Sequence, residues 1–294
     1  MLGNWSGPIE VFSEKNCSGL LTKEYLKVFE EAPWDDYLVR QRQLELIEHS
    51  FLEKLSSQLT FQDRSEFYLG MLTVDDLLLK NFSLDVRKEI KGALLNIRPS
   101  RKRFVSNAIV NIVDSQIVNI QRVKTKPFEQ LLSDIKKENQ QDYRKLPRKF
   151  KDLPNQYFND ELIKLIYSGV KKILQRNKRV RQVNVTVHHT SVICSEGYNA
   201  TNAPEGVHQD GVDYIVSAYV LERKNVKGGE SVIYGADKVT ELLRTTLEPG
   251  FGIFQPDLNT DLWHTVEQIS VIQGEKHGLR STIGLDFEII ETNV

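Results

Sequence analysis

Cysteine is nearly absent from this chain, with Cys17 and Cys194 the two among 294 residues. Two thiols so far apart offer no disulfide framework and no cluster for zinc or an iron–sulfur centre, and they suit a reducing, cytoplasmic setting. Long apolar runs are missing too. No segment approaches the roughly 20 apolar residues of a spanning helix, so no membrane association is expected. The opening Met1-Leu2-Gly3-Asn4-Trp5 lacks the basic segment and apolar core of a secretory leader. Neither sign of charge dominates: 39 Lys and Arg stand against 40 Asp and Glu, a net charge of −1. That removes the general electrostatic ground for a nucleic-acid partner. There is no repeat, no low-complexity tract and no phosphate loop, since Gly250-Phe251-Gly252 is too short for a dinucleotide fingerprint and no helix pattern follows it. What remains, 40% hydrophobic and 27% charged residues, describes an ordinary globular protein, large enough for one β-rich domain with a helical extension.

Residues 1 to 20 show no periodicity and read as an arm. Thr22, with Glu24 close behind, caps a short helix carrying Tyr25, Val28 and Phe29, which Pro33 ends. Leu44, Ile47, Phe51, Leu55 and Leu59 recur at helical spacing. Phe67, Leu69, Leu72 and Leu77-Leu78-Leu79 suggest another helix, and Val86 to Leu95 a third, before Arg98-Pro99 breaks the pattern. The cluster Arg98, Arg101, Lys102 and Arg103 reads as a solvated charge run rather than a phosphate site. Residues 104 to 123 are rich in Val and Ile without clean alternation, so period alone does not separate helix from strand there. Pro127 through Lys137 looks helical, and Tyr143 to Arg148 reads as a loop or an irregular strand. Asn159 or Asp160 caps a helix whose Leu162, Ile163, Ile166, Val170 and Ile173 share a face.

Beyond Arg181 the period changes to two. Val183, Val185 and Val187 alternate with polar residues, and short strands follow at Tyr214–Leu221, Ser231–Tyr234, Phe251–Phe254, His264–Ile269 and Ser281–Ile289, separated by Gly and Pro turns. Many short strands at such spacing point to a barrel or jelly roll. The expected fold class is α+β. Residues 1–100 form a helical N-terminal extension and residues 101–294 a β-domain with flanking helices.

His208-Gln209-Asp210 is the stretch with chemistry in it. Alternate residues on a strand share a face, so one imidazole and one carboxylate converge. Non-haem iron oxygenases hold Fe(II) with two histidines and one carboxylate, leaving three positions open. A 2-oxo acid takes two of these through its oxygens and O2 takes the third. His264, near the start of another strand, supplies the second imidazole. Arg280 opens the final strand with Thr282 two residues on, and its guanidinium fork suits the far carboxylate of 2-oxoglutarate. Each piece alone is a chance-prone pattern; their order and strand placement agree. The bland alternative is a cupin-like barrel that binds a ligand without chemistry.

Pro204-Glu205-Gly206-Val207-His208-Gln209-Asp210-Gly211-Val212-Asp213, with the later Asn225-Val226-Lys227-Gly228-Gly229-Glu230-Ser231, resembles the signatures of the 2-oxoglutarate- and iron-dependent dioxygenases that include bacterial L-isoleucine hydroxylase. The resemblance covers residues 140 to 290. It implies a double-stranded β-helix, the cupin-like jelly roll, as the core. It implies Fe(II), 2-oxoglutarate and O2 as cofactors, with ascorbate as reductant in vitro, and hydroxylation of an unactivated C–H of a free L-amino acid with release of succinate and CO2. His208, Asp210 and His264 become the metal and catalytic residues, and Arg280 the co-substrate anchor. Asp210 supplies a carboxylate where related halogenases leave a gap for chloride, which favours hydroxylation over chlorination; desaturation and ring formation stay open. The long helical front leaves room for a carrier- or peptide-bound aminoacyl substrate, and a homodimer is compatible with all of this.

An amino-acid substrate needs partners for its own charges. Arg144 and Arg148 are candidates for its carboxylate, Glu205 and Asp213 for its ammonium. Trp263, a candidate substrate contact, and Tyr214 and Tyr219 lie near the metal strands and are candidates to line the pocket, although aromatics there are more often core. His188 and His189 are adjacent on a strand, so at most one faces the pocket.

Overall fold

The computed structural model describes residues 8–52, 59–128 and 142–293. Its largest element is a seven-stranded sheet in the order β1-β9-β5-β12-β4-β2-β3, every neighbouring pair antiparallel. The strands are β1 (Glu10–Ser13), β2 (Arg101–Val113), β3 (Gln116–Val123), β4 (Val180–Ser195), β5 (Tyr214–Lys224), β9 (Phe251–Pro256) and β12 (His277–Thr292). A three-stranded sheet joins β10 (Trp263–Val266), β7 (Ser231–Tyr234) and β8 (Glu241–Thr245), and a two-stranded one joins β11 (Ile269–Val271) and β6 (Val226–Gly228). The class is mixed helix and antiparallel sheet. Among the described residues no helix is long and apolar enough to cross a membrane.

The large sheet has two unlike faces because side chains alternate along each strand. Val183, Val185 and Val187 of β4 and Ile283, Leu285 and Phe287 of β12 are fully buried on one face. They pack on Leu162, Leu165, Ile166, Val170 and Ile173 of a helix spanning Asp160–Arg176. Asn159 caps that helix, its side chain accepting from Glu161 N and Leu162 N. Leu165 sits on the buried stripe, while Ile163 is half-buried at its margin. The packing is close enough that a Cβ on Gly169 would stand 2.3 Å from Phe287 Cζ. The opposite face carries polar residues and forms one wall of the candidate site.

The N-terminal part divides between two cores. β1 pairs with β9, and α1 (Lys23–Glu31), capped by Thr22, buries Tyr25, Val28 and Phe29 in the same core as the large sheet. The expected unstructured arm is therefore in part a strand and a 3-10 turn (Lys15–Leu21); four residues are too few to show a period. α2 (Asp36–Ile47), α3 (Phe61–Tyr68), α4 (Val74–Asn81) and α5 (Leu84–Leu94) enclose a second core of Leu44, Ile47, Phe67, Leu77, Leu78 and Ile90. Residues 67 to 79, expected as one helix, make two. Gly70 at φ +77° ends the first, and Thr73, whose hydroxyl accepts from Asp76 N, starts the second with a capping box. Leu55 and residues 129 to 137 of the expected Pro127–Lys137 helix lie outside the described residues.

The ambiguous stretch 104 to 123 is a hairpin. Asp114 and Ser115 both have positive φ, 49° and 60°, the tight turn that matches strand twist. The expected strand His264–Ile269 is two short ones, β10 and β11, which pair with different partners.

Candidate metal and co-substrate site

His264 lies on β10, paired opposite Ile233 of β7. His208 and Asp210 belong to no regular strand, contrary to expectation. A single antiparallel bridge joins His208 to His264, with backbone hydrogen bonds of 2.9 Å each way. The segment is held instead by side chains. Gln209, buried, places its amide nitrogen within 3.0 Å of the carbonyls of Asp257 and Thr260 and 2.8 Å of that of Leu262. Asp257, fully buried, accepts from Gly211 N at 2.7 Å. The residue between the two expected ligands and the one seven positions before His264 thus fasten the halves together.

The ligand atoms of His208, Asp210 and His264 all lie within 4.8 Å of one another. Asp210 reaches both imidazoles, Oδ1 at 3.5 Å from His208 Nε2 and Oδ2 at 3.3 Å from His264 Nε2. His208 Nδ1 is 2.9 Å from the Gly206 carbonyl. A carbonyl only accepts, so Nδ1 carries a proton and Nε2 is the nitrogen turned toward Asp210. His264 Nδ1 looks at Asp257 Oδ1 at 3.6 Å, a carboxylate behind an imidazole, as around metal-bound histidines. Two imidazole nitrogens and one carboxylate on one side of a half-open pocket fit Fe(II).

The electrostatics agree with a site built for a cation. Burial opposes protonating His208, but the Glu205 and Asp210 carboxylates prevail and raise it to about 10. Burial alone would raise Asp210; its hydrogen bonds to both histidines hold it well below the usual carboxylate range. Burial, reinforced by Asp210, pushes Asp257 up to about 6. Glu205 Oε1 lies 3.2 Å from His208 Nε2, so a second carboxylate borders the same opening.

Arg280 on β12 is 2% exposed. Its Nε and Nη2 are buried without a hydrogen-bond partner, and among the described residues no carboxylate lies within ion-pair distance. Burial, then the neighbouring Arg223, pulls it down to about 10. A buried cation with idle donors beside a second cation is costly unless an anion completes it. Gly229, at φ +73°, lets the chain close over it: a Cβ there would be 3.3 Å from Arg280 Cδ. Thr282, two residues on and on the same face, lines the pocket between β12 and the triad.

Arg144, Arg148 and Glu205 also line this pocket. Asp142 grips Arg144 (Nη2–Oδ2 2.6 Å). Asp213 lies outside the lining and accepts from Ile289 N at 2.6 Å. Trp263 is also outside it, under the Lys238 ammonium at 3.7 Å. Tyr214 and Tyr219 belong to the main core and its margin, stacked on Phe254 and Phe12. His188 faces the pocket, whereas His189 faces the core and meets the Tyr25 hydroxyl at 2.9 Å. The run at 101 to 103 is not a solvated one: Arg101, 6% exposed, pairs with Asp35 at 2.8 Å, and Arg101 and Arg103 both line the pocket.

No curated protein matches the sequence. Among solved structures, a bsmA homolog from Methylobium petroleophilum PM1 is similar over 87% of this chain and 95% of its own, at 16% identity and a TM-score of 0.53. The crystal structure of IDO from Bacillus thuringiensis is similar over 65% of this chain and 79% of its own, at 13% identity and a TM-score of 0.51. These likenesses concern the fold. Residues 93–286 match the family described as 2OG-Fe dioxygenase. That span covers well over half of the chain and includes the His-Asp-His cluster and Arg280, so the chain belongs to the 2OG-Fe dioxygenase family and is an enzyme that uses Fe(II), 2-oxoglutarate and O2.

Proposed function

We propose that His208, Asp210 and His264 hold the iron and that Arg280, with the Thr282 hydroxyl, holds the far carboxylate of 2-oxoglutarate. The reaction is hydroxylation of an unactivated C–H bond of a free L-amino acid or a derivative of one. The observation that carries this reading is the pairing of a three-donor cluster with a buried guanidinium whose Nε and Nη2 have no partner, two residues along β12 from Thr282, which lines the pocket of the cluster. The core is read as a double-stranded β-helix, in line with the family match, and residues 1–100 as a mainly helical extension of which β1 and α1 join the core of the large sheet.

Bound at the triad, Fe(II) supplies O2 activation coupled to decarboxylation of 2-oxoglutarate to succinate and CO2. The chain's part is positioning. His208 keeps its Nδ1 proton on Gly206 and so presents Nε2. Arg280 fixes the co-substrate by a bidentate grip, and the buried neighbours of the triad exclude water. Of the two arginines expected for the substrate carboxylate, Arg148 is the better candidate, because Asp142 holds Nε and Nη2 of Arg144, and Glu205 is the candidate for the ammonium. Mass spectrometry of an L-amino-acid library incubated with enzyme, iron, ascorbate and 2-oxoglutarate tests this: a product gaining one oxygen supports it, and unchanged turnover in His264→Ala refutes it.

A second reading, the same chemistry on a carrier- or peptide-bound aminoacyl group, draws on the exposed Met71, Leu79, Leu84 and Leu95 of the helical extension. Turnover of the tethered substrate alone would favour it.

A further inference from the structure

The pocket that holds the triad carries more positive charge than 2-oxoglutarate uses. Arg101, Arg103, Arg144 and Arg148 all line it, and their donors are not equally spent. Arg101 gives Nε and Nη2 to Asp35 and Nη1 to the Asn202 carbonyl. Arg144 gives Nε and Nη2 to Asp142. Those two charges are cancelled locally.

Arg103 is different. Among the described residues no carboxylate lies within ion-pair distance of it, its Nε is buried without a partner, and the hydrogen bond of its guanidinium runs from Nη2 to His188 Nδ1 at 2.7 Å. A guanidinium only donates, so His188 Nδ1 accepts and Nε2–H donates to Asp286 at 2.8 Å. The imidazole is neutral, as its burial requires. It therefore aims Arg103 without cancelling its charge. Phe150 and Phe128 lie 4.5 and 5.2 Å from the Arg103 guanidinium carbon, and Phe128 lies 5.0 Å from that of Arg148. The two cations thus share one aromatic pair, and the carboxylates that act on Arg103 are Asp35, which is paired with Arg101, and Asp286, which is bound to His188.

We propose that Arg103 is the residue that selects the substrate: with Arg148 it binds a carboxylate or phosphate of an organic anion whose apolar part lies against Phe128, which lines the same pocket. Rigid, half-buried guanidinium forks bind planar oxyanions two bonds at a time, and neighbouring aromatic faces hold the fork without using its N–H groups. Asp286 and His188 are positioning residues here. The proposal rests on the dioxygenase reading above, because it needs 2-oxoglutarate at Arg280 and not at Arg103.

The test is calorimetric titration of the full chain with Fe(II) and 2-oxoglutarate under argon. The probes are the protein L-amino acids, the primary amides of the apolar ones, and phosphate monoesters of short alcohols. The best probe is expected to be an anion whose neutral counterpart binds about tenfold more weakly or worse, the worth of one charge-assisted hydrogen bond. Arg103→Gln should lose about the same factor and Arg103→Lys recover part of it, both keeping wild-type affinity for 2-oxoglutarate. The carboxylate and phosphate arms say which anion it is. Equal binding of neutral probes, no binding by any anion, or an unchanged Arg103→Gln overturns the inference while normal 2-oxoglutarate binding leaves the dioxygenase reading standing. Parallel loss of probe and 2-oxoglutarate in Arg103→Gln overturns it by moving Arg103 to the co-substrate. Failure of the wild type to bind 2-oxoglutarate overturns both.

Discussion

His188 and His189 are neighbours on β4, yet they serve opposite faces of the large sheet. His188 looks into the pocket between Arg103 and Asp286; His189 looks into the apolar core between Tyr25 and Phe29. The same alternation divides β12, where Thr282, Gly284 and Asp286 line the pocket and Ile283, Leu285 and Phe287 pack on the Asp160–Arg176 helix. One face gains free energy by removing carbon from water. The other holds charges that cost free energy to bury and is tolerable only with metal, co-substrate and substrate to complete it. Stability and function are thereby carried by alternate residues of the same strands, and substitutions on the two faces should separate the two properties.

The largest separation is expected on the pocket side. His264→Ala removes one of three donors and should abolish 2-oxoglutarate turnover and Fe(II) binding, read by succinate formation and metal titration, while the protein stays folded by circular dichroism. Unfolding along with the loss of activity would break the comparison. The converse change is Phe287→Ala. It empties the contact with Gly169 and should cost about 3–5 kcal/mol in urea unfolding, with Fe(II) affinity of the folded protein unchanged. A fall in metal affinity there would mean the faces are coupled through β12.

Much of this division was legible in the sequence, and what was not has identifiable causes. Val183 to Val187 and Ser281 to Ile289 showed a period of two because one face of each strand is apolar. Order and spacing singled out His208, Asp210 and His264, whose ligand atoms the fold brings within 4.8 Å of one another. Arg101 and Arg103 could not be found that way. Their burial depends on Asp35, 66 residues away in sequence from Arg101, and on His188, 85 away from Arg103, and a run of basic residues carries no mark of partners that distant. The failure of β1 to appear has the same cause, since its four residues are organised by β9 some 240 positions later. Residues 104 to 123 did carry a signal, the Asp114-Ser115 pair suited to positive φ, at the centre of a β-branched run.

A smaller effect is expected from the groups that orient the site. Asp257 accepts from Gly211 N through Oδ2 and faces His264 Nδ1 with Oδ1. Asp257→Asn keeps the shape and one acceptor but turns an amide N–H or a neutral oxygen toward the imidazole. Fe(II) affinity should fall roughly 10- to 100-fold, measured by competition with a chelator, with less loss of stability than Phe287→Ala. An unaltered affinity would remove Asp257 from the site.

The weakest of these effects tests the core side through pH. Burial, and to a lesser degree His188, lowers His189 from the ordinary 6.5 to about 3, so the native protein keeps it neutral while the unfolded chain protonates it below pH 6.5. With a depressed native value, its contribution is complete above pH 6.5 and is lost as pH falls toward 3. In that window the unfolded state binds one more proton, and stability should decline by about 1.4 kcal/mol per pH unit from this group. Other groups titrate in the same range, so the informative quantity is the difference between wild type and His189→Gln, which cannot take the proton. Urea unfolding at pH 6.5, 5.5 and 4.5 should give a steeper loss for the wild type by about that amount. Parallel slopes would mean that His189 is hydrated in the folded state, and that the apolar face of β4 is less dry than its neighbours Val187 and Phe104 make it.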